Sequence, residues 1–435
     1  MDNASGRGIL PPVGMGPDEP ERGRHQRAGP FGVLDIGTTK IACLIGRTDS
    51  DGSLRVLGMG WQKGSGVRGG SIVDLEKAEK AIRACVGQAE DMADTRLRGV
   101  TINLTCGQPE SRLYNVQWPV GGRAVSDEDI RGVVAEGRSR SAAEGREAIH
   151  VMPLNFAVDA TDQVIDPRGL FCTTLNARLH IIDAAATALR SLTACLARCD
   201  LDVEELVSAP MAAARSVLVS DERELGATVI DMGGGTTGMA VFADGQLMHT
   251  AQLPIGGLHV TKDLAAGLST TLAHAERLKT LYGNVEASPD DERELLPVPL
   301  VGEEAEHQLA KVPRRMVVNI IRPRIEETFE YVKERLDSSG MARAAGNRVV
   351  LTGGACQLPG VRELAARMLG RQVRLGRPIA LRGLPELATG PAFATAAGLL
   401  TWAAGDDRRF HDVDLDEPPP TGLFRRLVNF LKDYV

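Results

Sequence analysis

The chain has 435 residues, 43% of them hydrophobic and 25% charged, an ordinary globular balance with length for two or more domains. Its 57 acidic and 50 basic residues give a net charge of −7, which argues against general nucleic-acid binding, so no nucleic-acid partner is expected. Seven scattered cysteines without a C-x-x-C pair point to a reducing compartment, and no apolar run or leader-like core marks a membrane span or signal peptide.

Residues 1–29 are rich in Gly, Pro and Arg without apolar periodicity and are expected to be disordered. Order begins with an apolar run at 31–34, continues through Asp35-Ile36-Gly37-Thr38-Thr39-Lys40, and resumes as an apolar run at 41–46. This reads as strand, glycine turn, strand. A further strand is expected at 54–61, then a flexible glycine loop at 64–70. The spacing of Leu75, Ala78, Ile82, Cys85, Val86 and Ala89 predicts a helix over 74–93. A strand follows at 100–104.

The texture changes from residue 108. Ser126 followed by Asp127, Glu128 and Asp129 predicts a capped helix to about 141. Strands are expected at 148–159 and 177–182, with a turn at 166–170 between them. The segment reads as a small inserted α+β module without a catalytic cluster; His150 and His180 read as strand residues rather than ligands. Helices are expected at 184–199 and 211–219. Cys195 and Cys199 read as packed on one helix face.

Then the opening pattern returns. An apolar run at 227–230 leads into Asp231-Met232-Gly233-Gly234-Gly235-Thr236-Thr237 and a second strand at 238–243, closed by Asp244-Gly245. The two aspartates stand 196 positions apart (231 minus 35), which suggests a duplicated unit whose two turns face one another. Glycines let backbone amides approach an anion, threonines add hydroxyl donors, and a strand-borne Asp suits a hydrated cation beside phosphates. Neither turn opens a helix, so neither is a Walker A loop or a dinucleotide fingerprint. Lys40 reads either as a phosphate ligand or as a solvated edge charge.

Further on, 253–260 reads as a turn entering a helix, and 271–282 as a helix placing Glu276 and Lys279 on one face. The acidic, Pro-containing stretch 288–306 is expected to be a loop. A long helix at 313–336 starts with Arg314 and Arg315, and Pro323 should kink it or mark a junction. A strand at 348–352 runs into the Gly353-Gly354 turn, with helices at 361–369 and 388–403. Residues 405–421 form an acidic, Pro-rich linker. In 422–435 the apolar Leu423, Phe424, Leu427, Val428, Phe430 and Leu431 recur at helical period, with Arg425, Arg426 and Lys432 elsewhere on the wheel. A basic amphipathic helix after a linker reads as a membrane-surface anchor; the alternative is a helix docked on a protein surface.

Two Asp-Gly-Thr turns, a later strand-Gly-Gly turn and Ala- and Gly-rich helices resemble the actin-like ATPase superfamily, and within it the FtsA cell-division family. The resemblance spans about 31–403 plus the terminal helix. It implies an α/β, two-lobed, actin-like (ribonuclease H-like) ATPase fold with nucleotide in the central cleft, an inserted α+β subdomain and a C-terminal amphipathic helix. The implied divisions are a tail (1–29), a first lobe (30–107 and 181–225) interrupted by the subdomain (108–180), and a second lobe (226–260, 261–345 and 346–404). A linker (405–421) and membrane-targeting helix (422–435) follow.

The resemblance also implies roles. Gly37, Thr38, Thr39 and Lys40, with Gly233, Gly234, Gly235, Thr236 and Thr237, would clasp ATP phosphates. Asp35 and Asp231 would hold Mg²⁺ through water. Glu276 and Lys279 would contact the ribose and adenine side, and Gly353 and Gly354 would back the adenosine. Arg314 and Arg315 are candidates for meeting the C-terminal tail of the tubulin-like FtsZ. The implied protein polymerises on the cytoplasmic face of the inner membrane at the septum, tethers FtsZ filaments there and recruits later division proteins. One position departs from related chaperone and MreB sequences: Ala209 precedes Pro210 where those carry Glu. Phosphoryl transfer to water needs a group that orients the water, so hydrolysis is expected to be slow. A pilus-assembly actin homologue and a sugar or acetate kinase are the competing readings.

Overall fold

The computed structural model describes residues 29–302 and 309–405. The expected N-terminal tail through residue 28, the linker from 406 and the amphipathic helix at 422–435 lie outside these residues.

Strands β1 (Phe31–Ile36), β2 (Lys40–Thr48) and β3 (Leu54–Lys63) form an antiparallel run. The glycine loop after β3 holds a two-residue hairpin, β4 (Val67–Arg68) with β5 (Ser71–Ile72). Helix α1 (Leu75–Ala93) starts where expected, because the Asp74 side chain accepts the Lys77 N–H and caps it. Strand β6 (Gly99–Leu104) pairs parallel with β1.

The inserted module contains β7 (Glu110–Ala124), α2 (Asp127–Ser141), β8 (Arg146–Val158), β9 (Thr161–Val164) and β10 (Phe171–Ala185). Its sheet runs β7-β10-β8-β9, and Ile130, Val133 and Val134 of α2 join Val116, Phe156 and Leu179 in a core of its own. Helix α2 begins at a capping box, with the Ser126 N–H donating to Asp129 Oδ2 at 2.9 Å. The module's long first strand β7 gave no sequence signal, since its polar and apolar residues alternate only weakly.

The chain then returns through α3 (Ala186–Ala197), β11 (Asp202–Ser208) and α4 (Ala209–Val217). After α5 (Ser220–Leu225), the second half repeats the first: β12 (Ala227–Met232), β13 (Thr237–Ala243) and β14 (Gln246–Leu253). Helices α6 (Gly257–Gly267) and α7 (Leu272–Tyr282), strands β15 (Leu295–Pro299) and β16 (Leu309–Pro313), and helix α8 (Arg314–Ser338) build its outer part. Strand β17 (Arg348–Thr352), helix α9 (Val361–Leu369), strand β18 (Gln372–Leu375) and helix α10 (Ala394–Ala403) close it.

The two main sheets have one plan. The order β3-β2-β1-β6-β11 matches β14-β13-β12-β17-β18, each with three antiparallel strands followed by two parallel ones. The aspartate-bearing strand is central in both. Helices α4 and α10 lie between the lobes, and one core continues through them. It contains Val33 and Leu44 of the first sheet, Val229 and Phe242 of the second, and Ala212, Ala213, Ala396 and Leu399 of the helices. The helices touch backbone to backbone: a Cβ on Gly398 would stand 1.7 Å from the Ala212 carbonyl oxygen, so only glycine fits.

Three expectations are corrected. The supposed loop at 288–306 contains a 3₁₀ turn, Pro289–Glu292, and strand β15. Leu296 and Val298 are buried there, while Pro297 and Pro299 are tolerated because the β15–β16 ribbon consists of edges. Of the two readings of Pro323, a kink or a junction, the junction is excluded: α8 runs through it as one helix, with Val317, Ile321, Ile325, Phe329 and Val332 buried along it. The last helix does not start at 388. Two 3₁₀ turns, Glu386–Thr389 and Pro391–Phe393, precede α10, because a residue before proline is driven from helical geometry.

Candidate functional site

The two Asp-Gly-Thr turns close on themselves with the same bond. Gly37 N–H donates to the Lys40 carbonyl at 2.9 Å, and Gly233 N–H to the Thr236 carbonyl at 2.9 Å. They also press together across the cleft. A Cβ on Gly235 would stand 2.4 Å from Thr38 Oγ1, and one on Gly234 would stand 2.4 Å from Thr39 Cγ2. Any side chain at these glycines would force the turns apart.

Each turn is anchored from behind. Asn103 of β6 accepts the Ile36 N–H at 2.7 Å in the interior. In the second turn, Thr237 donates to the Ile255 carbonyl at 2.8 Å, and the N–H groups of Gly257 and Leu258 donate to the carbonyls of Gly233 and Gly234 at 2.9 and 2.8 Å. The first residues of α6 are thereby fixed to the turn.

The two carboxylates converge. Asp35 is 6% exposed, and burial raises its pKa while Lys40 opposes the rise. Asp231 keeps a side open to the cleft, yet protein surrounds it closely. Burial pushes it up to about 6, with the Asp35 charge adding to the rise and a hydrogen bond from Thr395 Oγ1 at 2.9 Å opposing it. The Asp35 charge is thus felt at Asp231. Lys40 Nζ sits 3.4 Å from Asp35 Oδ2, donates to the Ala392 carbonyl at 2.6 Å and lies 3.9 Å from the Phe393 ring centroid. It therefore ties the first turn to the entry of α10.

Gly353 stands behind the second turn with φ +85°, and a Cβ there would lie 2.4 Å from Asp231 Oδ1. Its neighbour Gly354 is open, with Ala392 Cβ at 3.9 Å as the nearest atom to a built Cβ. At the rim, Lys279 Nζ donates to Glu276 Oε2 at 2.7 Å, Thr261 Oγ1 at 2.9 Å and the Gly257 carbonyl at 3.1 Å. The pair is thus joined to the second turn through α6.

Arg314 and Arg315 belong to another cluster. Arg314 pairs with Glu294 at 3.1 Å and Asp291 at 3.5 Å, and Arg315 pairs with Glu292 at 2.9 Å. His150 and His180 are buried strand residues, and burial, with His249 and His150 nearby, holds His180 down to about 3. All seven cysteines are buried and unpaired.

Thr395, Ala392, Phe393 and Asn103 carry the site without having been singled out from the sequence. Asn103 had a signal, an amide in a mostly apolar strand. Thr395 sits among alanines of a core helix and had none.

The arrangement fits a polyphosphate with a hydrated divalent cation. It presents two glycine turns in contact, hydroxyl donors on both, and two carboxylates with one lysine beside them. Among the described residues, no three His, Cys, Asp or Glu side chains gather to bind a metal directly.

Comparison with known proteins points the same way. The family model described as "Cell division protein FtsA" matches residues 228–398, and that described as "SHS2 domain inserted in FTSA" matches 107–183. The cell division protein FtsA of Rhizobium meliloti is 41% identical over 396 residues, covering 89% of this chain and 90% of that protein. The chain belongs to the FtsA family. The FtsA proteins of Escherichia coli K12 (33% identical, 84% of this chain, 88% of that protein) and Pseudomonas aeruginosa (31%, 85% and 88%) agree.

Membership in the FtsA family places the chain among the cell-division proteins of the divisome. Solved structures give the same fold at low identity. The PilM–PilN type IV pilus biogenesis complex aligns with a TM-score of 0.62 at 17% identity, over 86% of this chain and 98% of that one. MreB 5 of Spiroplasma citri bound to AMPPNP aligns with a TM-score of 0.51 at 12% identity, over 86% and 95%. The fold is actin-like, with the inserted module of the FtsA family in place. Among the described residues no helix is long and apolar enough to cross a membrane.

Proposed function

We propose that the chain is an ATP-binding divisome protein that assembles on the inner membrane face and tethers FtsZ filaments to it. The observation that carries the nucleotide part is the interlock of Thr38 and Thr39 with Gly235 and Gly234 beneath two coupled carboxylates. In this reading, Gly37 to Lys40 and Gly233 to Thr237 hold the phosphates. Asp35 and Asp231 orient the waters of Mg²⁺. Glu276 and Lys279 meet the ribose and adenine side, and Gly353 and Gly354 form the floor under the adenosine. The nucleotide supplies a phosphate chain that draws the lobes together and, with slow hydrolysis, a timed release.

Membrane attachment falls to Leu423, Phe424, Leu427, Val428, Phe430 and Leu431, with Arg425, Arg426 and Lys432 on the polar side. A helix of about 14 residues is marginal alone in water, so one tail binds weakly. A polymer carrying many tails gains avidity without new contacts. Attachment and assembly therefore reinforce one another at the septum. The FtsZ tail meets Arg314 and Arg315 at the start of α8, where Arg315 is the more available because its partner Glu292 is exposed. Later division proteins are recruited to the resulting filament.

The test is vesicle flotation of the full chain and of a chain ending at residue 421, with anionic lipid and with ATP or no nucleotide. Flotation of the full chain that strengthens with assembly, and its loss on truncation, is the expected outcome. Equal flotation by the truncated chain refutes the anchor. Absence of ATP binding by equilibrium titration refutes the nucleotide reading.

A further inference from the structure

Side chains on directly opposed residues of neighbouring strands share one face of a sheet. Asp231 of β12 is opposed to Gly238 of β13, which is opposed to Gln252 of β14. Gln252 therefore points to the same side of the sheet as the half-buried Asp231, toward the cleft. Gly238 between them has no side chain, and the carboxamide crosses the space it leaves. A Cβ on Gly238 would lie 3.2 Å from Gln252 Oε1 and 3.0 Å from Pro210 Cβ.

The amide thus ends beside the start of α4, next to the second phosphate turn. Gln252 Oε1 is buried there, with no hydrogen-bond partner among the described residues. Buried acceptors are almost always paired, so one without a protein partner needs an explanation. Across from it, Ala209 offers only a methyl group. The Ala209 side chain carries no acceptor, whereas Gln252 brings one to that place from the opposite lobe.

We propose that Gln252 orients the water that attacks the terminal phosphoryl group of a bound nucleoside triphosphate. This rests on the nucleotide reading above. Hydrolysis joins the water oxygen to the terminal phosphorus while the bond to the bridging oxygen breaks. The products are nucleoside diphosphate and inorganic phosphate. The carboxamide accepts a hydrogen bond from the water but is no base, so the water's proton passes to the phosphate product or to solvent. An orienting group without a base should support slow hydrolysis. The arrangement also puts the residue on β14, the strand that meets the inserted module through the Thr250 N–H and Ser111 Oγ at 3.1 Å.

The experiment compares the full chain with Gln252→Ala and Gln252→Leu, the second keeping the volume. Affinity is measured for ADP, for a non-hydrolysed ATP analogue and for ADP with aluminium fluoride, which mimics the phosphoryl group in transfer and retains the in-line water. Steady-state phosphate release and thermal melting accompany these. The expected result is an ADP affinity unchanged within about twofold, with aluminium fluoride affinity and turnover each lowered about tenfold, equal to about 1.4 kcal/mol, and an unchanged melting temperature. Equal losses for ADP and the aluminium fluoride complex overturn the proposal in favour of a structural role. So do unchanged analogue affinity and turnover in both variants, or a wild-type chain that binds ATP tightly without releasing phosphate. If the wild-type chain binds no nucleotide at all, the nucleotide reading falls first and this proposal with it.

Discussion

Replacing Asp231 with Asn should stabilise the nucleotide-free protein at neutral pH. Asp231 is raised from 3.8 to about 6, mainly by burial and then by the charge of Asp35. A carboxyl raised on folding contributes stability that is complete below the unfolded value and is lost as pH climbs through the folded value. The window is therefore pH 3.8 to about 6. Two units at 1.36 kcal/mol each set an upper bound of about 3 kcal/mol, and solvent on the cleft side lowers this to about 1.5–3 kcal/mol. Asn has nearly the same shape and still accepts the Thr395 hydrogen bond, so the substitution isolates the charge. Urea unfolding of both proteins without nucleotide, from pH 4 to 8, gives the difference directly. Asp231→Asn should match wild type near pH 4 and exceed it by about 1.5–3 kcal/mol above pH 6.5, while binding Mg²⁺-nucleotide more weakly. A variant less stable than wild type at pH 7.5, or a difference independent of pH, would refute the electrostatic account of the site.

Gly234→Ala puts a methyl group 2.4 Å from Thr39 Cγ2, so fluorescent-nucleotide affinity should fall at least about tenfold, near 1.4 kcal/mol. Adding Thr39→Ala should restore part of it, and an unchanged affinity in the single variant would deny the interlock. Gly353→Ala combines φ +85° with a contact of 2.4 Å to Asp231 Oδ1, and denaturant titration should report a loss of about 1–3 kcal/mol. Ser111 Oγ contacts His180 Nε2 at 2.6 Å and His249 Nδ1 at 3.3 Å and accepts the Thr250 N–H at 3.1 Å. Ser111→Ala should cost about 1–3 kcal/mol and speed hydrogen exchange along β14. Arg315→Ala removes an exposed ion pair, so unfolding should shift by less than about 1 kcal/mol while an FtsZ-tail peptide binds measurably more weakly.

Local patterns were legible wherever their cause is local. The Asp74 cap with the apolar face of α1, the Ser126 capping box, and the strand-turn-strand of both aspartate motifs each arise from neighbours in sequence. Strands β7, β14 and β18 were not legible. Their residues alternate weakly, and they become strands because a partner strand offers hydrogen bonds. The stretch at 288–306 misled for a related reason. Its acid and proline content signals a loop, but two buried apolar positions and a facing strand decide the matter at β15. Pro323 allowed either a kink or a junction, and the buried face that continues through α8 excludes the junction.

The sequence by itself determined that two glycine turns of one kind exist, each on a strand carrying an aspartate, because such turns are written in contiguous residues. Only the tertiary structure decided that they touch. Thr38 and Thr39 meet Gly235 and Gly234 because two sheets of the same strand order are brought together by α4 and α10, whose small residues allow backbone contact. The shift of Asp231 toward 6 likewise belongs to no segment. It arises where burial, Asp35 from the other lobe and Thr395 from the last helix act on one carboxyl group. Electrostatics and packing act through space, so these properties follow from which residues the fold makes neighbours.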